Sequence, residues 1–217
     1  VSLTAERAAE LRAVLERHPY VLVIEDDHFS MLSRERYHSI IGSSHRRWAL
    51  IRSVSKFLGP DMCLAVTASD RETADRLARR LSPGSTWVSH LLQRLVLSLV
   101  SDPDVMAGVE SAARHYRERN EAFAALLTSA GLPTVVGDGL SLWVRVPAPA
   151  RGVAEQLMRR GWLAGPGDEF VLADSDATHR LRLTVHDLSD SDAARLAADV
   201  AASARAIAPT PKASPAP

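Results

Sequence analysis

Two short apolar runs, Tyr20–Ile24 and Trp48–Ile51, constrain the fold most. Each is continuous rather than alternating, as in a strand buried on both faces of a parallel sheet. Each also stops abruptly. The first runs into Glu25-Asp26-Asp27-His28, the second into Arg52-Ser53-Val54-Ser55-Lys56. A third strand is expected over Cys63–Ala68, after the Gly59-Pro60 turn. Before the first run, Thr4 reads as the N-cap of a helix over Ala5–Arg17. Strands mixed with helix-period segments predict an α/β layer.

Helix periodicity fills the middle: Arg71–Leu81, Trp87–Val100 and a long run over Val105–Ala130 closed by Gly131. The texture then changes. Thr134–Val136 and Leu140–Val146 read as strands, Ala150–Arg160 as a helix, Leu181–Val185 as a strand and Asp190–Ile207 as an Ala-rich helix. The expected organisation is therefore 1–102 as part of a large α/β domain with a mostly parallel sheet. A small α+β domain follows over 103–207, then a Pro-rich disordered tail over 208–217. Three strands are few for an open sheet, so the chain reads as the C-terminal part of a longer protein.

Bulk properties narrow the function classes. Among 217 residues, 26 Lys plus Arg balance 26 Asp plus Glu, which gives nucleic acid or an anionic membrane no excess of positive charge to bind. A single cysteine, Cys63, excludes an internal disulfide framework and fits a reducing cytoplasm. No apolar run approaches the roughly 20 residues that span a bilayer, and the histidines lack metal-site spacing. Trp87, Trp143 and Trp162 are expected in core or interdomain packing, and Arg114, Arg117 and Arg119 on a solvated helix face.

Ligands of α/β sheets bind beyond the carboxyl ends of the strands. Asp26 and Lys56 both stand at such ends. A lysine able to form a Schiff base, with a carboxylate for a pyridinium nitrogen, is what pyridoxal phosphate (PLP) chemistry requires. Mg²⁺ binding by Glu25-Asp26-Asp27 is a second reading of the acidic run, ranked lower because no Gly-rich phosphate loop accompanies it.

These residues, with Leu3–Arg7, His115–Asn120, Gly137–Trp143 and Leu181-Arg182-Leu183 in the same order, resemble a known family. The chain is similar to the C-terminal part of fold-type-I PLP proteins of the aspartate aminotransferase superfamily. More closely, it resembles the aminotransferase-like domain of MocR-type regulators in the GntR family, in a branch called PtsJ-like. The resemblance implies Lys56 as catalytic and as the Schiff-base lysine, and Asp26 as partner of the pyridinium N–H. It implies His28, Ser53 and Ser55 as further cofactor contacts, and Arg182 as the clamp on a substrate or effector carboxylate. Arg180 is a neighbouring rival for that last role; strand alternation and the motif favour Arg182.

The resemblance further implies a homodimer, an amino-acid effector, and DNA contact only through a separate N-terminal domain. An ordinary aminotransferase acting on an amino acid and a cofactor-free dimerisation module are the alternative functions. Three positions depart from the pattern. His28 stands where the family keeps a tyrosine, Cys63 where it keeps a phosphate-binding arginine, and Ala65 where it keeps a glycine. Loss of a charge-assisted phosphate contact costs about 1.5–3 kcal/mol.

Overall fold

The computed structural model describes residues 2–33, 35–81, 87–171 and 178–207; the tail expected to be disordered lies outside them. The chain divides into two compact units, Val1–Arg114 and His115–Pro217. The division falls inside a helix, α4 (Pro103–Ser129), whereas the sequence reading placed it at that helix's start.

The first unit opens with α1 (Ala5–Leu15), capped as expected by Thr4, whose hydroxyl accepts from the Arg7 N–H. A three-stranded sheet follows in the order β1-β2-β3, with β1 at Val23–Asp27, β2 at Trp48–Ser53 and β3 at Ala65–Ser69. Helices α2 (Arg71–Arg80) and α3 (His90–Ser101) lead into α4. β1 and β2 are parallel, with Val23 opposite Trp48 and Asp27 opposite Arg52.

β1 begins later than its apolar run and continues through the acidic residues, because the ladder to β2 carries it to Asp27. Tyr20 and Val21 stand exposed in the preceding turn, where the Val21 N–H bonds back to the His18 carbonyl. β3 is the larger correction. It runs antiparallel to β2, not parallel. The connection from Val54 to Leu64 is shorter than the dozen or so residues of a crossover. It closes as a hairpin loop, with Val54 N–H donating to the Leu64 carbonyl.

The second unit sets a sheet of order β4-β6-β5 against helices. β4 is Leu142–Arg145, α5 Ala150–Arg159, β5 Gly165–Pro166, β6 Arg180–Leu183 and α6 Asp190–Ile207. All pairings are antiparallel. Alternation sends Leu142, Val144, Leu181 and Leu183 into a core completed by Phe123, Leu127, Val153, Leu157 and Val200. Gly131 and Gly161 end their helices with φ of 89° and 88°. That left-handed step lets Leu132 N–H reach Leu127 O and Trp162 N–H reach Leu157 O, satisfying carbonyls the helix leaves open.

The strand expected at Thr134–Val136 does not form. Thr134 bonds locally instead, its hydroxyl to the Leu132 carbonyl and its N–H to the Thr128 hydroxyl. Trp87 is exposed, against the packing role expected of it. Arg119 is not a solvated helix residue either: it donates to the Asp190 carboxylate and the Leu188 carbonyl, tying α4 to the start of α6.

Candidate functional site

Three consecutive acids on β1 meet three different environments. Glu25 is the acceptor that orders the following loop, taking hydrogen bonds from the Tyr37 hydroxyl at 2.7 Å, the Ser39 hydroxyl and the Ile40 N–H. Burial, and then the Glu25 carboxylate it donates to, raise the Tyr37 phenol above its ordinary range. Asp27 is buried and accepts from Ser30 N–H and Oγ, Phe29 N–H and, at 2.7 Å, Arg52 Nε. Burial pushes its pKa up, but these donors together outweigh burial and hold it below its usual value. Strand alternation turns Asp26, between them, the other way. Its exposed carboxylate lies 2.9 Å from His28 Nε2 and has none of the structural donors its neighbours use.

The second half of the site is the turn after β2. Ser53 is buried at the strand's end. Its Oγ lies 3.2 Å from Ser55 Oγ, and Ser55 Oγ donates to the Met62 carbonyl at 2.9 Å. That bond fixes the turn against the far arm of the hairpin loop, where Gly59 supplies a φ of 113°. Lys56 follows, exposed, and no hydrogen bond or ion pair engages its amine among the described residues. Cys63, on the far arm, is an exposed free thiol whose Sγ reaches only the Pro60 carbonyl, at 3.4 Å.

Parallel pairing brings these halves together. Asp26 is opposite Ile51 in the register, so Asp26 and the Ser53–Lys56 turn both lie toward the carboxyl ends of the parallel strands β1 and β2. The structure thus joins Asp26 with His28 and Ser53 with Ser55, and Lys56 follows Ser55 in the same turn with its amine unengaged among the described residues. Arg182 belongs to the second unit, on the outer face of β6. There its guanidinium lies 5.4 Å from the Phe170 ring centroid, and Phe170 meets Trp143 edge to face at 5.1 Å. Arg52 and Tyr37, which hold Asp27 and Glu25 in place, escaped the sequence reading. The register opposing Arg52 to Asp27 is the signal that reveals Arg52. No group of three or more His, Cys, Asp or Glu side chains among the described residues is arranged to hold a metal ion.

A three-stranded sheet with helices and a separate antiparallel unit make this a mixed α/β protein. The chain belongs to the aminotransferase class I and II family, whose model matches residues 1–200. It is 41% identical over 199 residues to the vitamin B6 salvage pathway transcriptional repressor PtsJ of Salmonella typhimurium, covering 92% of this chain and 46% of that protein.

Among solved structures, it is similar to the α-aminoadipate aminotransferase LysN of Thermus thermophilus, with a TM-score of 0.78 and 19% identity over 94% of this chain and 55% of that one. The kynurenine aminotransferase of Pyrococcus horikoshii gives a TM-score of 0.81 and 16% identity over 95% of this chain and 53% of that one. The chain therefore spans about half the length of the relatives it matches.

Proposed function

We propose that this chain is the PLP-holding, effector-binding part of a MocR-type transcriptional regulator that acts as a homodimer in the cytoplasm and contacts DNA through a separate domain. The observation that carries the reading is the 41% identity to a vitamin B6 salvage repressor across 92% of the chain. The donor set supports it. PLP needs an amine, a carboxylate for its ring nitrogen and hydroxyl or N–H donors for its phosphate. Lys56, Asp26 and the Ser53–Ser55 pair are groups of these kinds near the carboxyl ends of two parallel strands.

When bound, PLP supplies an aldehyde carbon and an electron-withdrawing ring. The remaining work falls to the protein. Lys56 would offer its amine to the aldehyde. Asp26 would accept the ring N–H and so keep the ring positively charged, with His28 held at Asp26 Oδ1 and the other oxygen left for that contact. Ser53 and Ser55 would donate to the phosphate once their hydroxyl protons turn from the Ser55 and Met62 oxygens that accept them here. Arg182 clamps the effector's carboxylate through a planar, bidentate guanidinium. Cys63 offers the phosphate no cation, so the site is adapted to reversible sensing more than to tight retention.

The test is titration of the full-length protein with PLP, followed by absorbance and by binding to its operator DNA. A band that disappears in Lys56→Ala, together with a PLP-dependent change in DNA affinity, is expected. Absence of a Lys56-dependent band overturns the cofactor role. A normal band with unaltered DNA binding, and conversion of the cofactor to its amine form by an amino acid, would favour an ordinary aminotransferase instead.

A further inference from the structure

The outer face of the β4-β6-β5 sheet carries positive charge that no ion pair among the described residues balances. Trp143 and Arg145 of β4, and Arg180 and Arg182 of β6, all point away from the core. The register sets Arg145 directly opposite Arg180, and Trp143 opposite Arg182. Like charges facing each other across a ladder destabilise a sheet. Four arginines elsewhere in this unit find acids: Arg117 pairs with Glu121, Arg119 with Asp190, Arg160 with Asp199 and Arg195 with Asp192. Arg145, Arg180 and Arg182 have no ion pair among the described residues, and Arg182 is held only against the Phe170 ring.

We propose that Arg145 and Arg180 take the second anionic group of an amino-acid ligand whose α-carboxylate goes to Arg182. This rests on the effector reading above and names its ligand class: amino acids with a carboxylate or a phosphate on the side chain. The geometry suits it. Opposed side chains start about 5 Å apart, and same-face neighbours along a strand roughly 6.7 Å apart. Long arginine stems can therefore converge on two acidic groups of one small molecule. Each guanidinium presents a fork of donors matched to carboxylate or phosphate oxygens. The Trp143–Phe170 pair borders the Arg182 end and fixes that guanidinium by stacking.

The experiment compares isosteres on the PLP-loaded full-length protein by calorimetry: L-glutamate against L-glutamine, L-aspartate against L-asparagine, and O-phospho-L-serine against L-serine. The acidic member of at least one pair is expected to bind at least tenfold tighter, and the pair that does so tells carboxylate from phosphate. Arg145→Gln/Arg180→Gln should bring that ratio close to one while leaving the neutral ligand's affinity unchanged, which also shows the fold is intact. Arg182→Gln should weaken both members of the pair. Equal binding of acidic and neutral members, or a ratio unchanged in the double variant, overturns this proposal alone. Failure of every amino acid to bind overturns both it and the effector reading beneath it.

Discussion

Asp27 and Asp26 are chemically identical and adjacent, yet alternation along β1 buries one in the fold and leaves the other exposed. Asp27 anchors Ser30, Phe29 and Arg52 from a buried position. Asp27→Asn removes charge from those bonds and should cost roughly 1.5–3 kcal/mol of stability at neutral pH, measured by denaturant unfolding. Its folded pKa is depressed, so the contribution is present above the usual aspartate value of 3.8 and is lost as pH falls through the lower folded value. The gap between wild type and variant should therefore close in acid; a gap that persists there would refute the charge-based account. Cys63 gives a gain-of-function counterpart. It lies one residue beyond Met62, whose carbonyl holds Ser55 Oγ. Cys63→Arg should restore a phosphate contact and tighten PLP about tenfold, the factor given by about 1.4 kcal/mol, in a fluorescence titration.

Elements were legible where local chemistry decides them. Thr4 caps α1, and Asp190–Ile207 is a helix over the span its periodicity predicts. Lys56 and Asp26 could be placed at strand ends because apolar runs stop visibly there. Pairing direction was not legible: the antiparallel course of β3 follows from the closure of the Val54–Leu64 loop, which no periodicity encodes. Nor was β5, since Gly165-Pro166 is the opposite of a strand signal and exists only through pairing with Leu181 and Arg182. Within the acidic run, the separate duties of Glu25 and Asp27 depend on Tyr37 and Arg52, distant in sequence.

Asp70 shows a cap that is also a tertiary tie. One carboxylate oxygen accepts from Thr73 N–H at the start of α2 and the other from Trp48 N–H at the start of β2. The Thr73 side chain and backbone, then Trp48, bring its pKa down to about 2. Asp70→Ala should lower the melting temperature at neutral pH. The sign is that of a depressed carboxylate: the deficit holds above 3.8 and shrinks as pH falls toward about 2. Melting curves across that window check it; a deficit constant with pH would mean that the side chain stabilises by packing alone.

The two units bury apolar residues very unequally, and this governs how the chain opens. In the second, Leu142, Val144, Leu157, Leu181, Val153 and Val200 are each 1% exposed or less and form one continuous core. In the first, four of the five β3 residues are exposed, Ile24 and Val66 stand more than half exposed, and α3 turns Leu91 and Leu97 outward. Opening free energy follows local apolar burial, because uncovering a filled core costs about 25 cal/mol per Å² and uncovering an exposed strand costs little. Native-state hydrogen exchange on this chain should therefore rank amides of β4, β6 and α6 well above those of β3 and α3. The hydrogen bonds are of the same kind in both sheets, so the ranking isolates burial from bonding. Equal protection of β3 and β6 would show that stability here is set by the backbone ladders and not by the side chains beneath them.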